Sequence, residues 1–484
     1  MGLRCGARRG ERWAPVPDPC AVRGEGGAAV TEAPKSVEEV RKLVDDMGIE
    51  FLFAQFVEMY GKPNAKLVPA NHLEDVFAEG AGFAGFATGE LGQGPHDPDI
   101  AAMPDPASFT PVPWEPTLAR FACDVFVEGE PWPYCPRTIL KKNLASASER
   151  GYVFKIGMEA EFILTRLRED GTIEVADPLD VLDRPCYDMK ALTRQFDYIS
   201  NLSKYETQLG WDNYANDHED ANGQFESNFR YADALTTADR IIFFRYMVHT
   251  LAQQRGLQAT FMPKPFANLT GNGLHMHMSI WDEETDTNLF EDENDPRGLG
   301  ISELGYHFLG GVLQHASAYI GVTASTVNSY KRLIVGAPTS GATWSPVYIA
   351  YGGNNRTQMI RTPAPGRFED RTIDGAANPY LAASVILAAG LDGIDNKIDP
   401  GDPNEGNMYE TSEDELKRRG VQVLPGNLLD AVRNLRQDEV RREALGAVPG
   451  GHYIDYFCDV KEREWKDYHD RVSDWEVNKY LALF

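Results

Sequence analysis

Two glutamates stand in the middle of a segment that otherwise reads as a buried β-strand. Tyr152-Val-Phe-Lys-Ile-Gly-Met-Glu-Ala-Glu-Phe-Ile-Leu164 is rich in aromatic and branched apolar residues, yet Glu159 and Glu161 interrupt it. Side chains at i and i+2 of a strand share a face. Both carboxylates therefore point the same way, roughly 7 Å apart by the strand rise. Side by side on a buried face they repel, and at least one pKa rises unless a cation lies between them. An edge strand with a wet face is the bland alternative. Phe154, Ile156 and Met158 before the pair, and Phe162 and Leu164 after it, argue against that alternative. The fold must bury a polar sheet face and supply it with counter-charge.

Other segments repeat the anomaly. His218-Glu-Asp-Ala-Asn-Gly-Gln-Phe-Glu226 offers Glu219 and Glu226. Leu274 to Ile280 alternates apolar and polar residues, so His275, His277 and Ser279 share one face. Arg367-Phe-Glu-Asp-Arg371 places Arg367, Glu369 and Arg371 together on another. Oxygen ligands with one imidazole suit Mg²⁺ or Mn²⁺, and paired divalent ions suit phosphoryl transfer. Arg332, Arg356, Arg361, Arg367 and Arg371 lie in apolar or turn-bounded contexts. Their planar forks fit carboxylate or phosphate, although internal ion pairs with the glutamates would also use them.

Composition sets the limits. A chain of 484 residues can bury a large core or two domains. Its net charge of −26 argues against a nucleic-acid partner. The six cysteines are scattered without a CxxC pair, so neither a disulfide framework nor a zinc-thiolate site is expected. No apolar run approaches the ~18 residues of a membrane span, and the reading is a cytoplasmic protein. There is no internal repeat, Walker loop or dinucleotide fingerprint.

Along the chain, residues 1–33 read as a flexible N-terminal extension. Ser36 to Met47 reads as a helix, with strands at Ile49–Met59 and Ala65–Pro69 and a long Pro/Gly-rich connection from Gly92 to Pro116. Single helices are expected over Thr138–Gly151, Ala234–Gly256, Ser302–Ile320, Asn378–Leu391 and Asn427–Leu445, and a further helical segment near Lys461–Val477. Met359–Ile373 reads as strand. The class is α+β.

With these residues in hand, the chain resembles the glutamine synthetases. The resemblance is carried by Gly157-Met-Glu-Ala-Glu-Phe-Ile-Leu, Gly223-Gln-Phe-Glu, Ala259-Thr-Phe-Met-Pro-Lys-Pro-Phe and Gly273-Leu-His-Met-His-Met-Ser. Val327-Asn-Ser-Tyr-Lys-Arg-Leu, Asn355-Arg, Arg367-Phe-Glu-Asp-Arg and Asn378-Pro-Tyr-Leu-Ala-Ala follow in the right order. It implies a small β-grasp-like domain over residues 34–132. Residues 133–484 would form the catalytic domain, with a curved antiparallel sheet. It also implies rings with shared active sites, a dodecamer of two stacked hexamers. By the same resemblance Glu161, Glu219 and Glu226 would hold one metal, and Glu159, His275 and Glu369 a second, with two or three Mg²⁺ or Mn²⁺ ions per site. Arg356 and Arg361 would meet phosphoryl oxygens of ATP, Arg332 and Arg371 the carboxylate of L-glutamate, and His277 and Ser279 the nucleotide.

The amine half departs from the family pattern. Where the family carries a flap glutamate, this chain runs Val335-Gly-Ala-Pro-Thr-Ser-Gly-Ala-Thr-Trp-Ser-Pro346, placing Thr343 or Trp344 at that position. An early aspartate that helps hold ammonium becomes Glu58, and the Asn-Gly before the strand histidines, at substrate-binding positions, becomes Thr270-Gly271. A tryptophan offers apolar surface to an alkyl or aryl amine. The sequence is similar to the branch that includes γ-glutamylmethylamide synthetases and the atypical third-type glutamine synthetases. The expectation is an ATP-dependent ligase joining the glutamate γ-carboxylate to a small primary amine through γ-glutamyl phosphate. Alternatives are an ordinary ammonia-using glutamine synthetase and a non-catalytic scaffold. Glu58, Asp220 or no dedicated base would take the amine proton.

Overall fold

The structure, a computed structural model, describes residues 33–335 and 344–484. The expected extension thus lies almost wholly outside the described residues, as does Thr343.

Helix α1 (Val37–Met47) forms where expected. The Ser36 side chain accepts from the Glu39 amide at 3.2 Å, and Glu38 and Glu39 face the positive end of the helix. Gly48 ends it in the left-handed conformation. Strands β1 (Phe51–Val57) and β2 (Pro63–Pro69) pair antiparallel. The stretch expected as a long connection holds β3 (Ile100–Pro104), whose Ile100, Ala102 and Pro104 are buried in alternation. Its flanking prolines and glycines conceal this short strand from a reading by composition. Strand β4 (Leu118–Val127) runs parallel to β1 and antiparallel to β3. The first sheet runs β2-β1-β4-β3 and packs on α1 through Val40, Val44, Leu52, Phe56 and Phe121.

Helix α2 (Pro136–Ser148) leads into the long β5 (Tyr152–Leu167). A hairpin follows, β6 (Asn213–His218) and β7 (Gln224–Phe229), then α3 (Ala234–Gln253) and β8 (Leu274–Asp282). Helix α4 (Glu303–Gln314), the hairpin of β9 (Ile360–Ala364) and β10 (Arg367–Asp370), and α5 (Pro379–Asp395) come next. The second sheet runs β6-β7-β5-β8-β10-β9, each neighbour antiparallel to the next. Its apolar face, including Phe154, Ile156, Met158, Met276, Met278 and Phe368, belongs to the larger core, where α2 and α3 pack on β5. Helices α4 and α5 touch backbone to backbone: a Cβ on Gly311 would lie 2.0 Å from the Ala389 carbonyl oxygen.

Four expected elements divide, among them the helix near Lys461–Val477, which ends at His469 and resumes as Asp474–Tyr480. The Met359–Ile373 strand folds back at Pro365-Gly366, where Gly366 takes a φ of +72°. The Ser302–Ile320 helix breaks at His315, held between Asp392 and Asp438 at 3.0 and 2.7 Å, and resumes as Ala316–Thr323. The Asn427–Leu445 helix breaks at the same Asp438, whose carboxylate caps the second piece. Among the described residues no helix is long and apolar enough to cross a membrane.

Candidate active site

Strand register assembles an acidic wall on the polar face of the second sheet. Glu161 lies opposite Glu226 of β7, and Glu159 opposite His275 of β8. His277 lies opposite Glu369 of β10, and Glu369 opposite Arg361 of β9. The period of two seen in β5 thus extends across the sheet. Glu219 enters from the turn after β6, and Gly223 makes that turn possible, with a φ of +72° and no room for a Cβ beside Val175.

The wall is electrostatically divided. Burial, Glu161 and Asp217 push Glu219 well above the usual carboxylate range; burial, Glu159 and Glu219 do the same to Glu226. Asp217 is pushed up to about 6, chiefly by burial and by Glu159. At the other end burial opposes ionisation of Glu159, but hydrogen bonds from His275 and His277 hold it well below its ordinary value. Burial also opposes ionisation of Glu369, and Arg371, the histidines and Arg361 outweigh it. Donor atoms of Asp217, Glu219 and Glu226 lie within 4.8 Å of one another, as do those of Glu159, Glu226 and His275, and of Glu159, His277 and Glu369. Buried carboxylates this close are stable together only with protons or a cation among them. An oxygen-rich set with imidazole fits a hard divalent ion. These groupings differ from those implied by the resemblance. Glu161 accepts from Gln224 Nε2 at 3.0 Å and the Gly273 amide at 2.8 Å, while Asp217 stands beside Glu219 and Glu226.

The arginines line the same 860 Å³ cavity as this wall. Arg361 and Arg371 each donate to Glu369, at 2.6 and 2.7 Å. Arg332 is buried and donates to the carbonyls of Arg371 and Thr372. Gly271 and Gly273 permit its approach, since a Cβ on Gly273 would lie 2.9 Å from its Nη2. Arg356, exposed, lines the cavity with Thr270 and Trp344. Trp344 is half exposed at the rim with a φ of +56°, a strained conformation for a bulky residue. His277 and Ser279 line a second chamber of 470 Å³, which shares Glu159 and Asn228 with the lining of the main cavity. Arg367 belongs to this chamber and is exposed there, while its expected companion Glu369 faces the main cavity.

Glu58 lines neither chamber of its own chain. It is 2% exposed, accepts from the Tyr60 and Lys62 amides at 3.1 and 3.0 Å, and burial raises its pKa.

The profile of the family described as "Glutamine synthetase, catalytic domain" matches residues 133–480. The chain belongs to the glutamine synthetase family. It is 47% identical over 450 residues to the glutamate–methylamine ligase of Methyloversatilis universalis, covering 93% of this chain and 100% of that protein. To the glutamine synthetase of Rhizobium meliloti it is 44% identical over 438 residues, covering 90% and 98%. The solved structure described as "GmaS/ADP complex-Conformation 1" superposes with a TM-score of 0.85 at 48% identity, covering 93% of this chain and 100% of that one.

Within this glutamine synthetase fold, sequence reasoning missed several residues. Asp217 went unnoticed although it lies at i−2 from Glu219, the same spacing that singled out Glu159 and Glu161. Cys186 and Tyr187 line the cavity from a loop without periodicity, and Tyr187 has a φ of +63°. Asp180 pins both loops: it accepts from His218 Nε2 at 2.7 Å, Asn222 at 3.0 Å and the Gly223 amide at 2.6 Å. Only the tertiary pairing reveals it.

Proposed function

We infer that this protein is an ATP-dependent ligase that joins the γ-carboxylate of L-glutamate to a small primary amine, giving a γ-glutamylamide, ADP and phosphate. Its likeness to the glutamate–methylamine ligase, across the whole of that protein, carries the reading. A cavity lined by both carboxylates and arginines supplies the chemistry.

Carboxylate oxygen is a hopeless leaving group. The γ-carboxylate must first attack the γ-phosphorus of ATP, releasing ADP and leaving an acyl phosphate. The amine nitrogen then attacks the acyl carbon, phosphate departs with the former carboxylate oxygen, and the nitrogen loses a proton. In this reading Glu159, Glu161, Glu219, Glu226, His275 and Glu369, joined by Asp217, hold two or three Mg²⁺ or Mn²⁺ ions. Bound there, such ions neutralise charge on the phosphate oxygens. Arg332 and Arg371 grip the glutamate carboxylate beside Thr270 and Gly271, and Arg356 and Arg361 stabilise the phosphoryl group. Trp344 presents its ring to the alkyl group of the amine. In this reading Asp220, which lines the cavity, would take the amine proton. Glu58 would take part only from a neighbouring subunit, in a ring whose proposed form is a dodecamer of two stacked hexamers. Residues 34–132 and 133–484 act as separate domains in this reading, and the protein works in the cytoplasm.

Purified protein given ATP, Mg²⁺, glutamate and a panel of amines tests this. Turnover is expected to be highest with methylamine or another small alkylamine. Highest turnover with ammonia would return the protein to the ordinary glutamine synthetases, which the Rhizobium relative also represents.

A further inference from the structure

Behind the acidic wall lies a fully buried carboxyl group, Glu206, in the helix Phe196–Gln208. It meets the β6–β7 hairpin on the face away from the cavity. Asp217 and Glu226 are cross-strand partners and line the cavity. Asn216 and Ser227, the adjacent pair, therefore point to the other face. There Ser227 Oγ stands 2.9 Å from both carboxyl oxygens of Glu206 and 2.7 Å from Asn216 Oδ1. Asn213 Nδ2 donates to Glu206 Oε2 at 2.6 Å. Asn213 Oδ1 in turn accepts from Asn216 Nδ2 at 2.9 Å and from Ser203 Oγ at 2.7 Å. Ser203 lies three residues before Glu206, on the same face of the helix.

Strand alternation would not put Asn213 there. It lies at i−4 from Asp217, and on a regular strand such residues share a face, here the cavity face. The ladder shifts between them. Asn213 is opposite Phe229 and Ala215 is opposite Asn228, so Tyr214 is an extra residue, a β-bulge. The bulge inverts the phase of the strand: Tyr214 lines the second chamber, and Asn213 turns back toward the helix. It also sets the register beyond it. Counted from the Asn213–Phe229 pair without a bulge, Asn216 rather than Asp217 would stand opposite Glu226. The cavity face would then lose a carboxylate.

We propose that Glu206 is a positioning residue for the metal-fitting wall: by holding Asn213 on the back of β6 it pins the bulge, and the bulge sets Asp217 opposite Glu226. Ser227, gripped by the same carboxyl group, ties β7 to the same point. Glu206 itself lines neither chamber, so it acts only through the hairpin. The inference rests on the reading of this wall as a divalent-cation site.

Mg²⁺ binding measured by calorimetry on the full chain, well below its melting temperature, tests it. Glu206→Leu keeps the bulk and removes both acceptors. It is expected to weaken Mg²⁺ about ten-fold, the scale on which losing a group that orients a metal ligand acts. Glu206→Gln keeps an oxygen for Asn213 and should stay within about two-fold of the parent. Asn213→Ala frees the bulge and leaves the helix intact, and it should weaken Mg²⁺ about five-fold, the effect of one hydrogen bond. Asp217→Asn should weaken Mg²⁺ by itself. Adding Glu206→Leu to it should cost less than about two-fold more, because Glu206 acts through Asp217. A residue that serves stability alone would lower the melting temperature and leave Mg²⁺ affinity unchanged. Unchanged affinity in folded Glu206→Leu would overturn the proposal, as would losses that multiply in the double variant. If Glu206→Leu does not fold, unchanged affinity in Asn213→Ala overturns it. A parent chain that binds no Mg²⁺, or Asp217→Asn with full affinity, would instead overturn the cation reading of the wall, and the proposal with it.

Discussion

Asp217, Glu219 and Glu226 are under opposite demands: burial favours their protonated forms, while a metal needs them ionised. Burial and neighbouring carboxylates raise all three, Asp217 to about 6. A divalent ion must displace protons from them, so its affinity should rise with pH through the region near 6. Calorimetric titration with Mg²⁺ is expected to show binding on the order of ten-fold tighter at pH 7.5 than at pH 5.5. An affinity independent of pH would mean that these groups do not meet the ion. Glu206 makes a separate stability prediction. It is buried, accepts from Ser227 and Asn213, and burial pushes it up to about 8 from an ordinary 4.5. The folded chain keeps this proton after the unfolded chain has released it. The stability it contributes is full below pH 4.5 and is lost as pH rises toward 8. Glu206→Gln, which cannot ionise, should raise the melting temperature relative to the parent more at pH 8 than at pH 5. Equal shifts at both would show that Glu206 does not titrate in this way.

At the scale of elements, the β6–β7 hairpin is the piece on which the acidic wall depends, because it carries Asp217, Glu219 and Glu226 together. Its turn requires glycine. A Cβ at Gly223 would lie 2.8 Å from Val175 Cγ1 and 3.1 Å from the Leu164 carbonyl oxygen, on a backbone already left-handed. Gly223→Ala is expected to cost about 1–3 kcal/mol in denaturant unfolding and to weaken Mg²⁺ binding. Loss of stability with full metal affinity would show that the hairpin can shift without moving its carboxylates. Much at this scale was legible in the sequence. The alternation in β5 and β8 and the helices beginning at Ser36 and Asn378 are local patterns, and they form as read. The breaks at His315 and Asp438 were not legible. The two residues hold each other across 123 positions, and neither helix signals its interruption locally.

At the scale of the whole molecule, the net charge of −26 is mostly ordinary surface, and a few buried carboxylates carry the chemistry. Glu58 does not line either chamber of its own chain, so a role for it depends on assembly. If the site is shared, inactive Glu58→Gln and inactive Arg332→Gln chains should restore activity when mixed and reassembled, in up to about a quarter of sites in a random ring. Mixtures that stay inactive would confine the site to one chain.

The sequence alone determined that a sheet face carries paired carboxylates and histidines, because strand alternation with period two is a local property of the backbone. It also determined, by the order of its motifs, which family the chain resembles. Tertiary structure decided the rest: that Glu226 faces Glu161, that Asp217 joins Glu219 and Glu226, and that Arg361 and Arg371 converge on Glu369. These depend on cross-strand register, which is fixed by how the apolar face packs on its helices and is written in no single segment.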